Sequence, residues 1–130
     1  MTEYYNSVAE KLTSWGQVIT PEDEILIKHL IKKVNAYART VCNFSDDEPL
    51  PELVTPYFVD RVCSAYLYEK VKMGSIPVDD AIKTIKEGDI SITYAFGAGT
   101  KTQEERFENL CSELNNQFRT VVMKYRKIAW

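Results

Sequence analysis

Three long stretches of this chain carry an apolar stripe at helical spacing, and a helix with one apolar face has to bury it against another element. The last stripe is the strongest. Phe107, Leu110, Cys111, Leu114, Phe118, Val121, Val122 and Tyr125 recur at steps of mostly three and four residues. They follow Thr102-Gln103-Glu104-Glu105, which reads as a capping box. A second stripe, Ile27, Leu30, Ile31, Val34, Ala38 and Val41, lies opposite Lys28, Lys32 and Lys33. It opens at Thr20-Pro21-Glu22-Asp23, where Thr20 caps, Pro21 suits the first helical position and the acids complement the dipole. The third stripe starts at Pro51 or at Thr55-Pro56 and runs to about Met73. Tyr57, Val62, Tyr66, Leu67 and Val71 form its inner face, with Val59 and Cys63 on the flank and Gly74 as a left-handed terminator. A shorter helix over about 3–15 presents Tyr5, Val8, Leu12 and Trp15 and stops at Gly16. The expected fold is all-α: an antiparallel bundle with helices at about 3–15, 20–42, 56–73 and 102–127. Leu30, Val34, Val62, Tyr66, Leu110, Leu114 and Phe118 are its expected core.

One stretch breaks this pattern. Ile90, Ile92, Tyr94 and Phe96 alternate with Ser91, Thr93 and Ala95, the period of a half-buried strand. Glu87-Gly88-Asp89 is turn chemistry, and Ile82 to Lys86 before it is β-compatible. The expectation is a small β-hairpin or extended loop over about 82–96, inserted before the last helix. An isolated hairpin is only marginally stable and leaves open edges. It therefore needs a partner, and Ile85, Asp89, Ile90, Ile92 and Tyr94 are the expected subunit contacts. Ala95 to Thr100, with Gly97 and Gly99, reads as a flexible linker.

With 130 residues the chain is expected to be a single domain. A net charge of -3 and a pI near 5.2 argue against general affinity for nucleic acid or membrane surfaces. No apolar run approaches the roughly 18 residues of a membrane span, and Met1-Thr2-Glu3-Tyr4-Tyr5 is unlike a secretion signal. The chain is thus expected in the cytoplasm. Cys42, Cys63 and Cys111 are odd in number and show no paired spacing, so they read as reduced thiols. His29 is the only histidine, and with Asp23 and Glu24 it matches no metal-ligand pattern. Cys42 or Cys63 with His29 lacks an orienting third group. Gly97-Ala98-Gly99 lacks the Lys of a phosphate loop. No catalytic residue, metal or cofactor is expected.

Taken in order, these parts resemble the head-tail connector, or adaptor, proteins of long-tailed bacteriophages and prophages. The likeness is to the gp6-like and gp15-like adaptors and the YqbG family of prophage proteins. It is carried by the capped helix from Thr20, the Tyr-rich helix from Pro56, the run Ile85-Lys86-Glu87-Gly88-Asp89-Ile90-Ser91-Ile92-Thr93-Tyr94, and the amphipathic C-terminal helix. The resemblance implies a non-enzymatic virion protein, made in the host cytoplasm and placed in the particle neck. Its copies would form a homo-oligomeric ring beneath the portal protein, extend the DNA channel, and meet the stopper or tail-completion protein. The chain departs from the family in having one short helix before Thr20.

Within that frame three groups of residues acquire expected roles. Asp46, Asp47 and Glu48 would face the channel, where acids repel a passing duplex. Tyr125, Arg126, Ile128 and Trp130 would engage the portal, with Lys124 and Lys127 steering. Tyr57 and Tyr66 read as core, and Tyr68 as the exposed tyrosine of its helix. The competing readings are a small helical regulatory or protein-interaction module and a small enzyme.

Overall fold

The computed structural model describes residues 2–45, 48–87 and 102–126. Five helices account for most of them: α1 (Thr2–Ser14), α2 (Pro21–Cys42), α3 (Thr55–Lys72), α4 (Val78–Glu87) and α5 (Gln103–Met123). A short 3-10 turn, Glu52–Val54, leads into α3.

The helix ends follow their local chemistry. Thr20 Oγ1 accepts from the Asp23 amide at 3.2 Å, and Asp23 Oδ2 accepts from the Thr20 amide at 3.1 Å. This reciprocal pair satisfies donors that the first turn of α2 leaves without partners. At α5 one arm of the expected box is made, from the Glu105 amide to Thr102 Oγ1 at 3.2 Å. α3 ends on Gly74 at φ 76°, with the Ser75 amide on Lys70 O and the Gly74 amide on Val71 O. α2 ends the same way on Asn43 at φ 58°, with Phe44 N–H on Arg39 O. Asn is the non-glycine residue that tolerates this conformation best.

α3 is the axis of the bundle. It packs against α1, α2, α4, α5 and the 3-10 turn, whereas among the described elements α1 touches only α2 and α3, and α4 only α3 and α5. Helix α3 therefore buries two adjoining rows, Phe58-Val62-Tyr66 and Val59-Cys63-Leu67. All seven expected core residues are buried. An aromatic chain crosses the bundle: Tyr4 stacks on Phe58 at 4.4 Å, and Phe58 meets Phe118 edge-on at 6.1 Å. Such pairs add to their burial because ring edges and faces attract.

Two corrections concern tyrosines. Tyr57, expected inside, is 39% exposed because it lies one helical step outside the Phe58 row. Tyr68, expected outside, is half-buried and stacks on Phe107 at 6.2 Å. The third correction concerns the hairpin. Its first arm, Ile82 to Lys86, is helical, because Val78–Glu87 forms α4. Val78, Ala81, Ile82 and Ile85 fall at i, i+3, i+4 and i+7, and Asp79 and Asp80 complement the first turn. Ala81 and Ile82 are buried in the core. Tertiary burial here outweighs the β preference of the isoleucines. The second arm, Ile90 to Phe96, lies outside the described residues. No described residue is in a strand. The last helix also ends earlier than expected, at Met123, with Lys124, Tyr125 and Arg126 in a turn of i→i+3 bonds.

Candidate functional site

Two ion pairs lock the bundle and define what its surface leaves open. Asp23 sits at the start of α2 and accepts from Lys70 Nζ of α3 at 2.9 Å. Burial works against the charged form of Asp23. The hydrogen bonds from Lys70 and from Thr20 outweigh it and leave the carboxyl below its ordinary value of 3.8. Beside it, burial and the Asp23 charge push the Tyr66 hydroxyl up to about 12. The second pair joins Lys11 of α1 to Asp60 of α3, both largely shielded from solvent. Lys11 also lies 5.7 Å from the centre of the Trp15 ring.

The thiols are structural. Cys42 Sγ donates to Val122 O at 3.3 Å and Cys63 Sγ to Val8 O at 4.0 Å. Burial raises Cys42, and it pushes Cys63 and Cys111 up to about 12. All three are free thiols. His29 is exposed on α2, whereas Cys42, Cys63 and Asp23 are buried. The arrangement does not bring His29 and either thiol into a nucleophile pair. Among the described residues no group of three or more His, Cys, Asp and Glu could hold a metal ion. No described helix is long and apolar enough to cross a membrane.

Two open grooves lie among the described residues. The first, about 640 Å³, runs between α2, α3 and α5 and holds Arg61, Tyr37, Tyr68, Cys111 and Asn115. Arg61 donates from Nε to Asn115 Oδ1 at 2.9 Å and has no ion pair among the described residues. Burial lowers its pKa, opposed by Cys111 and Tyr37, yet a guanidinium stays charged. The second groove, about 780 Å³, lies between the start of α3 and the second half of α5. Leu53 (71% exposed), Tyr57 and Val121 line it, together with Glu52, Asp60 and Glu113. Three acids and no base surround an apolar floor. Sequence reasoning missed this groove because its residues come from three elements. Leu53 and Tyr57 stand on either side of Pro56, and Tyr57 reads from the sequence as part of the inner face.

The residues singled out from the sequence fare unevenly. Ile85 lies on α4, while Asp89, Ile90, Ile92 and Tyr94 lie outside the described residues, as do Asp46 and Asp47. Glu48 is half-buried, and its carboxylate accepts from the Ser45 amide and hydroxyl, both at 3.3 Å. That carboxylate serves the loop that Arg39 also braces through Ser45 O and Glu48 O. Tyr125 is half-buried and packs on the core, and Arg126 is exposed. Ile128 and Trp130 lie outside the described residues. Most of the expected contact residues therefore lie outside the described residues.

No protein-family model, curated protein or solved structure matches this chain.

Proposed function

We propose that the chain is a structural adaptor that joins a phage or prophage head to its tail. Copies would form a ring under the portal and prolong the DNA channel toward the stopper or tail-completion protein. The observation that supports this reading is the order of its parts. A capped α2 and a short α1 lie against a long, Tyr-bearing α3. The run from Ile85 to Tyr94 then precedes an amphipathic α5. This sequence of elements is what the resemblance to head-tail adaptors rests on, and the all-helical bundle accords with it. In this reading the protein works by presenting surfaces, not by chemistry.

The test is co-expression with the portal protein encoded by the same genome. The expected result is co-purification with portal-containing particles, and ring-shaped density at their vertex by negative-stain microscopy. A chain that never associates with portal-containing particles overturns the reading in favour of a regulatory helical module. Monomeric behaviour in isolation does not, since assembly on the portal requires the portal.

A further inference from the structure

The groove between the start of α3 and α5 has a definite chemical character. Its floor is apolar, through Leu53, Tyr57 and Val121. Its charges are all negative. Asp60 is matched by Lys11, but Glu52 and Glu113 have no ion-pair partner among the described residues. A surface of this kind suits a short segment with the opposite pattern, bases interleaved with large apolar side chains. The chain contains one such segment, Lys124 to Trp130, with Lys124, Arg126 and Lys127 beside Ile128 and Trp130.

We propose that this groove receives the segment 126–130 of a second copy of the chain, presented by the turn at Lys124 and Tyr125. Ile128 and Trp130 would cover Leu53 and Tyr57, and Arg126 and Lys127 would stand against Glu52 and Glu113. Two observations favour a second copy over the same one. The groove runs back along α5 from Val121 toward Glu113, so filling it from within requires the chain to reverse just after Arg126. Lys124 to Trp130 lacks Gly, Pro, Asn, Asp and Ser, the residues that most favour such a reversal. A neighbouring copy needs no reversal. The contact is heterologous, groove to tail, and repeats from copy to copy until it closes into a ring or runs on. It deepens the adaptor reading and rests on it. It also gives the basic segment a destination other than the portal.

The test needs no portal protein, so its failure is separable from failure of the adaptor reading. The full chain, labelled with nitrogen-15, is titrated with an acetylated and amidated peptide of residues 124–130. The expected result is saturable shifts at Leu53, Tyr57, Gln117 and Val121. Ile128→Ser with Trp130→Ser in the peptide should weaken binding about tenfold or more. Glu52→Lys with Glu113→Lys in the protein should do the same, with circular dichroism confirming the fold. Glu113→Gln offers a milder variant if the double change unfolds the chain. A peptide with Lys124, Arg126 and Lys127 all changed to Glu should bind the double Lys protein and not the native one. Shifts confined to other surfaces, or no saturable binding, overturn the proposal. So does equal binding by the peptide that lacks Ile128 and Trp130, which would reduce the effect to charge. If the native chain is monomeric by analytical ultracentrifugation and ignores the peptide, but full-length protein carrying Ile128→Ser and Trp130→Ser binds it, the groove is filled from within, and the second copy is wrong.

Discussion

Asp23 concentrates more consequence than any other side chain of this protein. It caps α2, pairs with Lys70 and lies against Tyr66. Its carboxyl sits below 3.8 in the fold, so the folded state holds its proton less tightly than the unfolded chain. The pair's stabilisation is therefore full above the unfolded pKa and is lost as pH falls through the folded one. Asp23→Asn should cost more than the roughly 1 kcal/mol of an exposed pair. Lys70 keeps 17% of its side chain in solvent, so the cost should fall short of the about 3–5 kcal/mol of breaking a fully buried one. Urea unfolding at pH 7 and pH 3 measures this: the gap between native and Asp23→Asn protein should narrow at pH 3. A gap independent of pH would mean that packing, not charge, sets the cost. The thiols give a second residue-level expectation. Pushed up to about 12 by burial, Cys63 and Cys111 hold far less thiolate at pH 8 than a free cysteine does. Iodoacetamide at pH 8 should leave the folded protein almost unmodified and label all three cysteines in urea, as read by mass spectrometry.

At the level of elements, α5 and α4 make opposite cases. Leu114 is 2% exposed on α5, and Leu114→Ala should cost on the order of 2–5 kcal/mol by chemical denaturation. A loss well under 1 kcal/mol would place it at the surface. In α4, Lys83 is exposed, so Lys83→Pro removes little packing and tests the backbone alone. It should cost about 3 kcal/mol by breaking a helical turn. Helices with a long stripe and a signal at one end or both were legible from the sequence: those expected at about 20–42, 56–73 and from 102 onward. α4 was not. At ten residues it shows only three turns of pattern, and Ile82 and Ile85 are β-branched, so local preference pointed to a strand. The decisive fact was nonlocal, the burial of Ala81 and Ile82 in the shared core. The tyrosines show the same limit. α3 is buried on two sides, and a one-stripe reading misassigns Tyr57 and Tyr68, which lie at the edges of a wider buried face. The acid-rimmed groove was illegible for a related reason: Leu53, Tyr57 and Val121 meet only once α3 and α5 are packed.

For the molecule as a whole, stability should be graded outward from α3. Every other helix packs on it, so exposing its Phe58–Leu67 rows requires α1, α2, α4 and α5 to separate together. Among the described elements α1 and α4 each lean on only two helices. α1 is held by Val8, Leu12 and the Lys11 pair with Asp60, while α4 contributes Ala81 and Ile82 to the core. Local opening follows the number of buried contacts that must break. In native-state hydrogen exchange, amides from Phe58 to Leu67 should therefore exchange only through global unfolding, with a free energy matching that from urea. Amides of α4 should open first, and those of α1 next, because the Lys11–Asp60 tie must also break. Destabilising α4 through Lys83→Pro should speed its own exchange, while the α3 amides speed up by no more than the loss of global stability dictates. The opposite order, with α3 amides exchanging ahead of α4, would mean that the bundle does not turn on α3. The grooves beside it would then lose the rigid wall that a docking surface requires.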